Sequence, residues 1–233
     1  MTRSFHASPS TAFAGAALAL GIAVTGLAAA PAHAAGGLWY EVTITNVTYA
    51  QRFTPFLLST HAPSVHLFVP GAPASAGLAT LAEQGNVDPL RQVLDGDARV
   101  NMTAASSGLL EPGASVTVRV QALPQRDRLS LAAMLIPTND AFVALDAVEI
   151  PYFGAAHYTA VAYDAGSEVN DERCASIPGP DFSECGGPGG GGAPGNGEGF
   201  VHVHRGMHGV GDFDPARRAW SNPVARIRIE RVN

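Results

Sequence analysis

Hydrophobic and polar residues alternate along several stretches of the chain. In LWYEVTITNVT, from Leu38, the side chains of Tyr40, Val42 and Ile44 fall on one side and those of Glu41, Thr43 and Thr45 on the other. SVTVRVQAL (115–123) sets Val116, Val118 and Val120 against Thr117, Arg119 and Gln121, and VARIRIERV near the C-terminus sets Ile227 and Ile229 against Arg226, Arg228 and Glu230. A period of two predicts half-buried strands. Shorter strand candidates are SVHLFVP at 64, ARVNMT at 98, LSLAAMLIP at 129, DAFVALDAVEI at 140, HYTAVAY at 157 and GFVHVH at 199.

One segment has helical spacing instead. ASAGLATLAEQGNVDPLRQVLDG (74–96) reads as two short helices, with Leu78, Leu81 and Ala82 on one face of the first and Leu90, Val93 and Leu94 on one face of the second. Gly85 stops the first, Asn86 or Asp88 caps the second, and Pro89 suits its first turn. Many short strands with turns between them predict an all-β fold, an antiparallel β-sandwich with two short helices at one side. The stretch GGPGGGGAPGNGEG (186–199) is expected to be a flexible loop within the domain, because a strand pattern resumes at Phe200.

The first 34 residues have a different character. Arg3 precedes an apolar run from about Ala12 to Ala30, and Ala32-His33-Ala34 fits the small-x-small rule of signal peptidase. Residues 1–34 are therefore expected to be a signal peptide, leaving 35–233 as one domain of an exported protein, secreted or periplasmic, with no stable membrane span once the leader is removed. The formal net charge of −6 gives no electrostatic reason to bind nucleic acid. Every basic side chain is arginine, a compositional bias rather than a site.

Export bears on the two cysteines. Cys174 and Cys185 lie in a Gly/Pro-rich loop, and an oxidising compartment makes a disulfide the expected state. A two-cysteine zinc site is the weaker reading, since no C-x-x-C spacing is present.

Candidate chemistry concentrates in two places. AYDAGSEVNDE (162–172) carries Asp164, Glu168, Asp171 and Glu172, with Asn170 between them. Calcium takes six to eight oxygen ligands, and this stretch is rich in such groups without having the EF-hand pattern. Asp164 and Glu168 converge if the chain turns at Gly166, and Asp140, which opens a strand-like run, is a further donor. Composition alone leaves a calcium loop and a solvated acidic turn both open; a hydrolase carboxylate pair is a third, weaker reading. The second place is HVHRGMH (202–208). His202 and His204 are two apart on a strand, and His208 is a possible third metal ligand. The alternative is histidines that are exposed or hydrogen-bonded in a loop. No nucleophile elbow, P-loop or dinucleotide fingerprint is present.

YEVTITNVTYAQRFTPFLLSTH (40–61), HLFVPGAPASAGLATLAEQGN (66–86), PTNDAFVAL (137–145), AYDAGSEVNDE (162–172) and GFVHVHRGMHGVGD…W…NPVARIRI (199–229) together resemble the spondin N-terminal domain, as in F-spondin and mindin and in exported bacterial proteins. The resemblance implies an antiparallel β-sandwich similar to calcium-dependent membrane-targeting sandwiches. It implies one Ca²⁺, held by Asp140, Asp164 and Glu168, with Asn170 and Asp171 as substitute or supporting groups. Glu168 stands where the family has aspartate. Asp171 and Glu172 are not first-choice ligands. The expected function is a secreted, non-enzymatic calcium-binding module for extracellular binding or adhesion, its partner an unknown extracellular protein or surface ligand. The rival is a metal-dependent hydrolase using His202, His204 and His208.

Overall fold

The computed structural model describes residues 36–193 and 197–232, so the expected leader lies outside the described residues. Ten strands and three helices follow in the order β1 (Leu38–Asn46), β2 (Arg52–Phe53), β3 (Leu57–His61), α1 (Ala76–Gln84), α2 (Asp88–Asp95), β4 (Val100–Ala105), β5 (Ser115–Ala122), β6 (Arg128–Ile136), β7 (Ala141–Glu149), β8 (Ala155–Asp164), β9 (His202–Val203), α3 (Pro215–Arg218) and β10 (Ala225–Val232).

Every pairing is antiparallel, and the main path runs β4-β3-β6-β7-β8-β10-β1-β5, with β2 beside β6 and β9 beside β8. The sheet folds over on itself as a sandwich. Tyr40, Val42 and Ile44 of β1, Val118 and Val120 of β5 and Ile227 and Ile229 of β10 meet Leu129, Leu131, Ala133 and Leu135 of β6 in the central core. The strict alternation of β1, β5 and β10 thus marks one buried and one solvated face. β6 differs: all of Leu129–Ile136 is buried, because Ala132 faces a second core under the helices and Met134 and Ile136 face a third. A strand covered on both sides reads as a continuous apolar run, which is why its sequence lacks alternation.

α1 covers the outer face of β6 and β7 through Leu78, Leu81 and Ala82, and α2 packs against α1 and β4 with Leu90 and Leu94 in the same core. Ser75 caps α1 by accepting the Leu78 N–H, and Gly85 ends it in the left-handed conformation at φ 66°. The side chain of Asn86 accepts the Asp88 N–H at the start of α2. Val93 is a correction to the expected α2 face: it is 68% exposed, and Leu90 and Leu94 alone anchor the helix.

SVHLFVP is also not a strand. Its Leu67 N–H donates to Asp146 Oδ1 rather than to a neighbouring backbone, while Val65, Leu67 and Phe68 pack beneath the helices. Apolar spacing there reflects burial without pairing. GFVHVH shortens to the two-residue β9, paired to the end of β8. β3 was hidden in the sequence, because all five of its residues are buried, polar Ser59, Thr60 and His61 included.

The two ends of the path, β4 and β5, approach each other. There the Gln121 carbonyl accepts from Thr60 Oγ1 (2.7 Å) and Asn101 Nδ2 (2.6 Å), and the Gln121 N–H lies 2.9 Å from the Met102 sulfur.

Cys174 and Cys185 form a disulfide with Cα atoms 5.5 Å apart, packed beside the third core of Ile177, Phe182, Met207 and Phe213. The described part of the glycine-rich segment lies against this loop. A Cβ on Gly189 or Gly190 would fall within 1.9 Å of the Ile177 or Ala175 carbonyl oxygen, so glycine permits the close approach.

Candidate functional site

The site stands where β7 begins and β8 ends. Ala141 pairs with Asp164, so Asp140, one residue earlier, faces the segment that leaves β8. The backbone joins them: the Ala165 N–H donates to the Asp140 carbonyl at 3.1 Å. The chain then turns at Gly166, whose φ of +65° favours glycine and whose missing Cβ would sit 2.4 Å from the Phe200 carbonyl oxygen. The turn aims the N–H groups of Ser167 (2.8 Å) and Glu168 (3.0 Å) at Asp140 Oδ2.

That leaves Asp140 Oδ1 buried without a hydrogen-bond partner, and Glu168 Oε2 is in the same condition. Glu168 Oε1 accepts only the Ala193 N–H, at 3.1 Å. Burial, and then the charge of Asp164, pushes the Asp140 carboxyl well above the usual carboxylate range. Burial pushes Glu168 up to about 7, and the charges of Glu83, Asp140 and Asp171 add to it against the Ala193 bond. Buried, mutually repelling carboxylates with unpartnered oxygens are groups that a cation can stabilise, although the donor oxygens of Asp140, Asp164 and Glu168 do not all lie within 4.8 Å of one another. The donor chemistry is all oxygen, which fits calcium.

Asp164, 1% exposed, accepts the Gly166 N–H on Oδ1 at 2.7 Å and the Asn170 side-chain amide on Oδ2 at 2.8 Å. Asn170 therefore touches a first-choice residue. Asp171 bonds elsewhere: its oxygens accept from Asn139 Nδ2 (3.0 Å), Ser176 Oγ (2.7 Å) and the Arg173 N–H (3.1 Å). Burial opposes its ionisation, but the bonds from Ser176 and Asn139 outweigh burial and hold its carboxyl below the ordinary value.

Glu172 was set aside in the sequence, yet it organises the next loop. Its carboxylate accepts the backbone N–H groups of His208 (2.5 Å), Gly209 (2.5 Å) and Val210 (3.0 Å). Three N–H donors on one carboxylate form an anion nest made from the chain itself. Nothing in an isolated Glu172 signals this, because its partners lie almost forty positions away.

The three histidines line one small cavity of about 100 Å³ with Asp164, Asn170 and Glu198. They do not act as three equivalent ligands. His204 Nδ1 accepts the Gly206 N–H at 2.9 Å, so its proton sits on Nε2, and burial keeps its ring neutral by lowering its pKa. His208 Nδ1 faces Glu172 at 3.6 Å. Among the described residues, the one group of three acid or histidine donors within 4.8 Å of one another is Asp164, Glu198 and His202. Glu198 was passed over as part of the low-complexity run; its spacing of four residues before His202 was the available signal.

Comparison with known proteins agrees with this architecture. The family model described as Spondin_N matches residues 37–170, more than half of the chain. The match includes Asp140, Asp164 and Glu168 and ends before the histidine segment. No curated protein matches the chain.

Proposed function

As the chain belongs to the Spondin_N family of extracellular modules, we propose that it is a calcium-dependent binding or adhesion module with no catalytic role. Asp140, Asp164 and Glu168 would hold the ion, Asp164 braced by Asn170. The buried, unpartnered Asp140 Oδ1 and Glu168 Oε2 carry this reading: each is an oxygen removed from water without a hydrogen-bond partner. Calcium supplies a divalent charge that offsets the repulsion among these carboxylates. The chain's own part is to fix the segment before β7 against the loop after β8, through Asp140 and the N–H groups of Ser167 and Glu168. A surface formed by those loops then has one shape for a protein or surface ligand.

Export, in the secreted or periplasmic sense, belongs to the same reading. The disulfide supports it, since such bonds persist in oxidising compartments. Among the described residues no helix is long and apolar enough to cross a membrane. The hydrolase alternative gains nothing from the site, where His204 and His208 are engaged by Gly206 and Glu172.

Calorimetric titration of the chelator-treated protein with Ca²⁺ tests the proposal. One equivalent of binding that disappears in Asp140→Asn and Asp164→Ala is expected. A protein that takes up no calcium, or takes it up equally with both substitutions, would remove the basis for this function.

A further inference from the structure

Beside the calcium carboxylates lies a group of different chemistry. His202 Nε2 is buried without a hydrogen-bond partner, 3.7 Å from Asp164 Oδ1 and 3.6 Å from Glu198 Oε2. The other ring nitrogen, Nδ1, lies 3.2 Å from the Val203 carbonyl oxygen, which can only accept. Nδ1 is therefore the donor, and in the neutral ring the lone pair of Nε2 points at the two carboxylates. A carbonyl holding one ring nitrogen while the other faces open ligand space is the arrangement that orients metal-binding histidines.

Three negative or lone-pair atoms facing one another repel unless a metal ion, or a proton taken up by Nε2, lies between them. Ligand atoms about 2.0–2.1 Å from a tetrahedral zinc ion are about 3.3–3.5 Å apart. The observed 3.6 and 3.7 Å separations from His202 need only a few tenths of an ångström of closure, and the Asp164 and Glu198 oxygens lie within 4.8 Å of each other. Asp164 is held in place by Gly166 and Asn170, and each of its oxygens keeps a free lone pair. Glu198 is on the exposed side, so water can complete the coordination.

We propose that Asp164, Glu198 and His202 form a site for a divalent transition-metal ion of the zinc type, separate from the calcium site and sharing only Asp164 with it. An imidazole nitrogen with two carboxylates suits zinc, whereas calcium prefers an all-oxygen shell. Two carboxylates and a neutral ring carry a charge of −2, which one such ion neutralises. His204 stays outside the coordination, because its Nε2 carries the proton.

The test titrates Zn²⁺ into the full chain after chelator treatment and saturation with Ca²⁺. One equivalent should bind, and Co²⁺ in its place should give the visible absorption of a tetrahedral site. His202→Gln and Glu198→Gln should each weaken Zn²⁺ binding by at least about 100-fold, with calcium binding unchanged. Asp140→Asn should do the reverse. Glu198 is exposed, so its variant keeps the fold, which circular dichroism verifies. No zinc binding to the calcium-saturated protein, or zinc binding that survives both substitutions, overturns the proposal. Zinc lost only with Asp140→Asn means that it occupies the calcium site, and overturns it too. Loss of calcium binding alone would sink the calcium reading and leave this site standing.

Discussion

The backbone N–H of Glu168 donates to Oδ2 of Asp140 at 3.0 Å, while the free oxygens of both side chains, Oδ1 of Asp140 and Oε2 of Glu168, have no partner. The bond fixes the two segments near each other before any ion arrives. Replacing Asp140 by Asn separates these roles. The amide oxygen can keep accepting from Ser167 and Glu168, and the amide nitrogen removes the buried charge. Without calcium the variant should melt at or above the wild-type temperature. Calcium at about 100 times its dissociation constant should stabilise the wild type by about 2.7 kcal/mol and the variant not at all. Thermal melts with calcium and with chelator measure both.

Gly166 sets the turn that makes this bond possible. Gly166→Ala combines a left-handed φ with a Cβ 2.4 Å from the Phe200 carbonyl oxygen. A loss of at least about 1–3 kcal/mol is expected, together with weaker calcium binding. Urea denaturation and calorimetry give the two quantities, and an unperturbed Gly166→Ala protein would contradict the close approach.

Glu172→Gln weakens the three-fold clamp on residues 208–210, because a neutral amide oxygen accepts less strongly than a carboxylate. The expected cost is about 1.5–3 kcal/mol. Hydrogen exchange should accelerate at the amides of His208, Gly209 and Val210 and not at those of β1. Uniform exchange changes across the fold would show that Glu172 acts globally rather than on this loop.

Acid should weaken a different contact. Hydrogen bonds from Arg218, at 2.8 Å to each oxygen, hold the Glu184 carboxyl down to about 2 from an ordinary 4.5. A depressed folded pKa means that the stabilisation is present above pH 4.5 and is lost as the pH falls from 4.5 towards 2. After allowance for solvent around the pair, about 1–2 kcal/mol should vanish across that window. The difference in unfolding free energy between wild type and Glu184→Gln, followed against pH, isolates it: the two curves should converge at acid pH.

The sandwich was legible where one face of a strand is wet. β1, β5 and β10 could be placed from alternation alone, because their outward Thr and Arg residues contrast with inward Val and Ile. β3 went unnoticed because it is buried along its whole length and shows no alternation, and SVHLFVP was misread because its apolar residues are buried without pairing. In the site, the acids of 162–172 were visible as a cluster, and Gly166 as a turn. Their division of labour was not, since it depends on partners from other segments: Asn139 for Asp171 and residues 208–210 for Glu172. Long-range hydrogen bonds leave no local pattern to read.

The contacts at Gln121 also limit how this module can recognise anything. Strand addition, by which many extracellular proteins capture an extended peptide, needs an open row of backbone donors and acceptors. At Gln121 the outer edge of β5 is covered by Thr60, Asn101 and Met102 across from β4. A partner is refused there as an extra strand, and so is a second copy seeking edge-to-edge aggregation. The loops at the ends of the sandwich remain as a surface open to a partner.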